Sequence, residues 1–366
     1  MSNNFLGLYK NKKVLITGHT GFKGAWLSQI LLEFEAKLAG IALKPKNNND
    51  LYNLLRLEDK MISHIFDLRD IEKLEKVIID FKPDFIFHLA AQSLVLDSYQ
   101  HPYNTISTNI ISTLNILELL KRLNLETILV NVTSDKCYEN TNQAIPFKEG
   151  DPLGGIDPYS ASKAMVEILA NSYNQSFFKK ESKVKMFSVR AGNVFGGGDW
   201  AANRLVPDII KNMISGAEIY LRNPESTRPW QHVLEPLGAY LQLAAYYYNL
   251  DTHDSSNFSD AWNIAPGSTS QLKVVDFVKV FIRFWGDENI KIQINREENK
   301  PYEAKTLGLS SEKIIRELGW RPKLNIQDAI KITVDWYKAC VNLDNVELIT
   351  KKQINEYFKK LNQTVS

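Results

Sequence analysis

The sequence predicts an α/β protein built on a doubly wound parallel sheet, with a smaller α/β lobe on its C-terminal side. Three observations carry this expectation. Over the first 192 residues, short apolar runs of strand type alternate with stretches of helical periodicity. The strand-type runs are continuously apolar rather than alternating, as strands covered by helices on both faces are. Gly18, Gly21 and Gly24 stand between the first apolar run and the first helical stretch.

The elements follow in order. "KKVLIT" is the first strand, with 13–17 as its core, and "GAWLSQILLEFEAKL" the first helix. "LAGIAL" and "ISHIFDL" are the second and third strands, and "IEKLEKVIIDF" is a helix after them. "PDFIFHLA" is a fourth strand. In the helix "NTISTNIISTLNILELLKRL", the spacing places Ile106, Ile110, Leu114 and Leu117 on one apolar stripe. "TILVNVTS" is a fifth strand, "SASKAMVEILANSYNQSF" a helix and "KMFSVRA" a sixth strand.

After about residue 192 the rhythm loosens. "GGGDW", "RNPESTRPWQ", "DTHDSSNFSD" and "NREENKPYE" read as loops, rich in Gly, Pro, Asn and charge. Between them lie short strands ("AEIYL", "AWNIA", "IKIQI") and two helices ("VLEPLGAYLQLAAYYYN", "KVVDFVKVFIRFW"). The expected division is a dinucleotide-binding domain over 1–192, to which some later segments return, and a mainly substrate-binding lobe over 193–366.

Composition narrows the function classes. A chain of 366 residues, 44% hydrophobic, is long enough for a large core or two lobes. With 44 basic and 42 acidic residues the net charge is +2, which gives no argument for nucleic acid or an anionic membrane as partner. Cys137 and Cys340 stand far apart, and so few cysteines fit a reducing compartment. The N-terminal stretch has no long apolar run with a cleavage site, and no run approaches the ~18–20 apolar residues of a spanning helix. A cytoplasmic protein is expected. The six histidines are scattered without ligand spacing, so no metal site is expected.

The glycine triplet is the first chemical signal. In "VLITGHTGFKGAWL" one glycine makes the tight turn, a second lets backbone approach a pyrophosphate, and a third lets the helix pack on the sheet. Free N–H groups and the helix dipole favour the anion. Gly18, Thr20, Gly21, Phe22, Lys23 and Gly24 therefore form the expected cradle of a Rossmann-type site. The second strand ends in "IALKPKN", with Lys44 and Lys46 where an acid often holds the ribose, so these residues leave NAD and NADP both open. Asp67, followed by Leu68 at the third strand end, suits the adenine edge. It suits equally well the N-cap of the helix that follows.

Tyr159 and Lys163 in "DPYSASKAMVEIL" share one helix face. An ammonium near a phenol favours the phenolate, which can take a proton from a hydroxyl while hydride leaves the carbon. At the end of the fifth strand stand Ser134, Asp135 and Lys136, where ligands gather in such folds.

The glycine loop, "HLAAQS", "VTSDKCYE" and the Tyr159/Lys163 pair together resemble the extended short-chain dehydrogenase/reductases, over nearly the whole chain. "TGHTGFKG", "SDKCYEN", "DPYSASK", "RAGNVFGGGDW" and "RPWQHV" are similar to the nucleotide-sugar 4,6-dehydratases within that group, and most to those acting on CDP-glucose. The resemblance implies NAD as cofactor and an internal redox elimination belonging to deoxysugar biosynthesis, of the kind that feeds lipopolysaccharide O-antigen. Oxidation at C4 acidifies C5, water is lost across C5–C6, and hydride returns to C6. By the same resemblance Tyr159 takes the 4-hydroxyl proton and Ser134 bonds that hydroxyl. Asp135 protonates the departing 6-hydroxyl, which calls for a raised pKa. Lys136 stands where many relatives have a glutamate base, so it is either a base of lowered pKa or a stabiliser of the enolate.

The resemblance further puts Ala90, Ala91, Gln92 and Thr108 beside the cofactor. Asn193, Arg204, Leu205, Arg228 and Tyr302 (with Glu303) fall on the nucleotide sugar, Arg204 opening the "RLVP" helix and Arg228 gripping the diphosphate. The plain alternative for either arginine is a surface ion pair. Most tryptophans belong to the core, Trp200 and Trp230 excepted. The family's dimers pair the helices after the fourth and fifth strands, which implies a homodimer or higher homo-oligomer. Competing readings are a nucleotide-sugar 4-epimerase, a dehydratase of another NDP-hexose, and a cofactor-binding protein with a dead site.

Overall fold

The computed structural model describes residues 5–141, 145–179, 182–250, 261–267, 270–294 and 307–363. Its strands are β1 (Lys13–Thr17), β2 (Lys37–Ala42), β3 (Ile62–Ile65), β4 (Phe85–His88), β5 (Thr127–Val132), β6 (Val184–Ala191), β7 (Val194–Phe195), β8 (Ile219–Leu221), β9 (Thr227–Pro229), β10 (Gln231–His232), β11 (Ala261–Ile264), β12 (Gln271–Lys273) and β13 (Ile292–Ile294). Its helices are α1 (Phe22–Glu33), α2 (Leu51–Leu54), α3 (Ile71–Phe81), α4 (Val95–Gln100), α5 (Pro102–Leu123), α6 (Pro158–Tyr173), α7 (Leu205–Ser215), α8 (Leu234–Asn249), α9 (Val274–Trp285), α10 (Glu312–Leu318), α11 (Ile326–Val341) and α12 (Val346–Gln363).

Seven strands form one parallel sheet in the order β11-β6-β5-β4-β1-β2-β3. The chain winds outward from β1 through β2 to β3, then returns to the other side of β1 for β4, β5, β6 and β11. The switch between β1 and β4 opens a crevice at the carboxyl ends of the strands, which is where a ligand enters such a sheet. Inward residues divide between two cores. Val14, Ile16, Phe85, Phe87 and Val130 face α1, α8 and α12 on one side. Leu15, Ile41, Ile86, Leu129 and Met186 face α3, α5 and α6 on the other. Because both faces are covered there, the central strands β1 and β4 carry no polar alternation, whereas edge strand β3 leaves Ile62 and Ile65 exposed.

Four details differ from the sequence expectation. The first helix ends at Glu33 rather than running toward Leu38, because Glu35 turns the chain with φ of 58° and Lys37 already pairs in β2. The segment "AWNIA" is β11, which pairs with β6 in the main sheet rather than in a small lobe. α8 packs on β5 and β6 and so also belongs to the first lobe. On α5, Ile106, Ile110 and Leu114 are only half-buried, while Thr105, Asn109, Ser112 and Thr113 are the buried side of that stretch. That face meets α6 and the end of β4 through hydrogen bonds, not apolar packing. No described helix is long and apolar enough to cross a membrane.

Beyond β6 the short pairs β9–β12 and β8–β13 and the helices α7 and α9 build a second wall over the strand ends. Trp230 stacks on Phe277 at 4.0 Å between ring centroids and anchors that wall.

Candidate active site

A cavity of about 930 Å³ lies between the carboxyl ends of the sheet and this second wall. The turn from β1 into α1 forms its floor. Gly18 has φ of 78°, and a Cβ on it would meet Ala90 N at 2.9 Å. A Cβ on Gly24 would stand 2.1 Å from Gly18 O, so the helix can pack this closely only as glycine. No side chain caps the first turn of α1, whose N-terminal residues Gly21, Phe22 and Lys23 line the cavity. Close-packed backbone and a free helix N-terminus suit a pyrophosphate. Thr20 is tied back to Leu43 O at 2.9 Å, and Lys44 and Lys46 line the cavity at the end of β2.

Asp67 and Leu68 also line it. Asp67 is not the cap of the helix that follows: Asp70 caps α3 by accepting from Lys73 N, and Asp67 pairs with Arg69 at 2.6 Å. Ala90, Ala91, Gln92 and Thr108 form the next stretch of wall. Gln92 is held by Thr105 (2.7 Å) and, through its backbone N–H, by Asn109 (2.8 Å). Asn109 donates to Ser162 Oγ at 2.8 Å, and Ser162 donates to Tyr159 O at 2.7 Å. The polar inner face of α5 therefore ties this wall to the helix of the Tyr/Lys pair.

α6 starts at Pro158 behind Asp157, which accepts from Ser160 N (2.9 Å) and Ser160 Oγ (2.6 Å). This cap sets the first turn, and Tyr159 and Lys163 point from it toward the end of β5. Lys163 Nζ donates to Val132 O at 3.3 Å. Burial pushes Tyr159 up to about 12, against the pull of a hydrogen bond with Ser134 and the nearby Arg204. The expected lowering by Lys163 is therefore not what sets this phenol in the structure. Burial in turn pushes Lys163 down to about 8.

Ser134 Oγ donates to Asp135 Oδ1 at 2.9 Å and accepts from Lys136 N at 3.2 Å. Asp135 is 2% exposed, and its Oδ2 has no hydrogen-bond partner among the described residues. Lys136 is half-buried on the cavity wall. Lys23 joins this end of the cavity. Burial and the cations Arg204 and Lys163 push it down to about 7.

On the opposite wall stand Asn193, Arg204, Leu205 and Arg228. Arg204 pairs with buried Asp199 at 3.1 Å and donates to Ser93 at 2.6 Å, so the ion-pair alternative and the cavity position hold together. Arg228 is buried, at 3% exposure, on β9. Trp200 and Trp230 line the same wall, although Trp230 is already stacked on Phe277. Tyr302 and Glu303 lie outside the described residues.

Residues that sequence reading missed stand just behind the cavity. Thr133, Glu167, Arg190 and Tyr138 form one buried polar chain around the Ser134–Cys137 turn. The available signals were a glutamate four residues past Lys163 and an arginine inside an apolar strand.

Residues 15–333 match the profile of a family described as GDP-mannose 4,6 dehydratase. The chain is 41% identical over 353 residues to a CDP-glucose 4,6-dehydratase of Salmonella typhimurium, covering 95% of this chain and 97% of that one. It is 25% identical over 352 residues to a GDP-mannose 4,6-dehydratase of Vibrio cholerae, covering 87% and 91%. Among solved structures, a dTDP-glucose 4,6-dehydratase from Streptomyces venezuelae with NAD bound superposes with a TM-score of 0.76 at 21% identity, covering 91% and 98%. A UDP-glucose 4-epimerase from Thermotoga maritima superposes with a TM-score of 0.75 at 22% identity, covering 90% and 99%. Those two likenesses establish the fold.

Proposed function

From a chain that belongs to the GDP-mannose 4,6-dehydratase family of extended short-chain dehydrogenase/reductases, we propose an NAD-dependent 4,6-dehydratase that converts CDP-D-glucose to CDP-4-dehydro-6-deoxy-D-glucose. The observation that carries this reading is the meeting, at one strand end, of a Tyr/Lys pair with a buried carboxyl, inside a cavity floored by a glycine cradle. A dehydrogenase needs the pair and the cradle. An elimination also needs an acid.

The cradle fits NAD: Gly18, Gly21 and Gly24 admit a pyrophosphate against backbone, and Ala90, Ala91, Gln92 and Thr108 offer the wall along which the rest of the dinucleotide would lie. NAD held there would supply a reversible hydride acceptor, so that the hydride lost from C4 can return at C6 and the net oxidation is zero. Tyr159 takes the proton of the 4-hydroxyl as the phenolate, which the Lys163 ammonium and the positive charge of a bound nicotinamide would favour against the burial that raises this phenol, with Ser134 bonded to that oxygen. Lys163 supplies positive charge beneath the pair. The 4-keto group acidifies C5. Lys136 works at C5, either as the base or as the cation that stabilises the enolate; its half-buried position at the cavity wall is compatible with both. Asp135 protonates the departing 6-hydroxyl, and what supports this role is its burial and its unpartnered Oδ2. Arg204 and Arg228 clamp the diphosphate against Asn193 and Leu205.

The preference for cytidine rests on the 41% identical relative. The test is to offer CDP-, UDP-, GDP- and dTDP-glucose and weigh the products. Loss of one water, fastest with the CDP sugar, is expected. A product of unchanged mass would instead identify an epimerase.

A homodimer completes the proposal. The outward faces of α5 and α6 carry exposed Tyr103, Ile111, Met165 and Ile168, the last 57% exposed. A chain copy offering the same faces would cover them. Sedimentation should give a dimer or larger assembly, and Ile168→Glu should weaken it.

A further inference from the structure

Glu167 lies one helical turn beyond Lys163 on α6 and is 3% exposed. Its carboxylate is held from two sides. Thr133 Oγ1 donates to Oε1, and Arg190 donates to Oε2 at 2.8 Å. Arg190, equally buried on β6, donates from its other amino group to Tyr138 OH at 2.7 Å and to Glu149 O at 3.0 Å. Its guanidinium also sits over the Tyr138 ring, 5.0 Å from the centroid. Tyr138 OH in turn donates to Asn263 Oδ1 on β11 at 2.7 Å. Thr133 immediately precedes Ser134, and Tyr138 immediately follows Cys137. One ion pair therefore grips both ends of the turn that carries Ser134, Asp135 and Lys136, and fixes it to the helix that carries Tyr159 and Lys163.

Stability alone gives little reason for such a pair. Taking two charges out of water is costly, and apolar residues of similar volume often serve as well. Its position is the informative feature. Resting on the reading of Tyr159 and Lys163 as the oxidising pair, we propose that Glu167 and Arg190 are positioning residues: together they hold the Ser134–Cys137 turn against α6, and Glu167 supplies the anion that sustains the Lys163 ammonium.

The charged and titratable groups around Lys163 are consistent with that assignment. On α6 they are Tyr159 and Glu167. The turn after β5 brings Asp135, Lys136 and Cys137. His88 approaches from β4, Lys23 from α1, Arg190 from β6, and Arg204 from the start of α7 beside Tyr159. α4 carries Asp97, and α5 carries Glu118 at its far end, bonded to Tyr173. Burial pushes Lys163 down, and Glu167 is the largest influence holding it up.

The test is the pH dependence of kcat in Glu167→Gln and in the double variant Glu167→Gln with Arg190→Met. The single variant leaves Arg190 buried without its counter-ion and can fail to fold; the double variant removes both charges together. The ammonium of Lys163 is required for the oxidation, so kcat declines as pH rises through its pKa. Without Glu167 that decline is expected to begin about one pH unit lower, in both variants. A structural role alone would leave the double variant with the wild-type profile, and that result overturns the proposal. Wild-type enzyme that dehydrates no NDP-glucose would sink the underlying function instead.

Discussion

Gly192 stands against the carboxyl of Asp135: a Cβ on it would lie 3.0 Å from Oδ2 and 3.0 Å from Pro229 Cγ. Gly192 has no positive φ, so its backbone accepts alanine and the added methyl acts through contact alone. Gly192→Ala is expected to shift the carboxyl and to lower kcat about tenfold or more, since small misplacements of a catalytic group are costly. Melting temperature should change little. An unchanged kcat would remove the close fit of Asp135 from the mechanism.

The floor of the cavity makes a harder demand. The Cβ of Gly24→Ala would stand 2.1 Å from Gly18 O, and Gly18 cannot retreat because Ala90 N stands behind it. Backbone meets backbone, so the loop must open. NAD affinity, read by calorimetry on the folded variant, should fall by about 100-fold or more. Retained affinity would place the pyrophosphate elsewhere.

The pH profile separates the two members of the Tyr/Lys pair. Lys163, pushed down by burial to about 8, carries its ammonium below that pH and loses it above. Tyr159, pushed up by burial to about 12, acts as the base, so its own deprotonation would raise kcat with pH rather than lower it. A fall in kcat as pH rises through about 8 is thus assigned to Lys163. Lys163→Arg, which cannot deprotonate there, should abolish that fall even if kcat is about 10- to 100-fold lower overall. A fall that persists in the arginine variant would belong to another group.

Much of this arrangement is legible in the sequence, and the exceptions have physical reasons. The apolar runs of the parallel sheet are legible because burial on both faces leaves few polar residues to confuse the period. "AWNIA" is not assignable to that sheet from sequence, since a four-residue apolar strand carries no sign of its partner. The stripe through Ile106, Ile110 and Leu114 follows from periodicity, yet the inner face of α5 is Thr105, Asn109 and Thr113. Hydrogen bonds there replace the apolar contact that a hydrophobic pattern detects. Motifs point to Asp135 and Tyr159. Glu167 and Arg190 are silent because their partnership spans two elements and exists only after folding.

Stability should carry a pH signature of its own. Glu235 is 1% exposed, and burial raises it to about 7, against hydrogen bonds from Leu324 N, Lys323 N and Tyr357. The raised pKa means that the folded state binds this proton more tightly than the unfolded chain. The resulting stabilisation is complete below the unfolded value near 4.5 and is lost as pH rises through about 7. It amounts to something on the order of 3 kcal/mol. Glu235→Gln should flatten the change in unfolding free energy across that window, measured by urea titration at matched pH values. A wild-type slope in the variant would mean that Glu235 is not its source.

In the proposed elimination a hydride leaves C4 and returns to C6. CDP-glucose deuterated at C4 tests it in a single measurement. A product lighter by one water and carrying the deuterium at C6 is predicted. Deuterium still at C4, in a product of unchanged mass, would contradict the account and make the enzyme an epimerase.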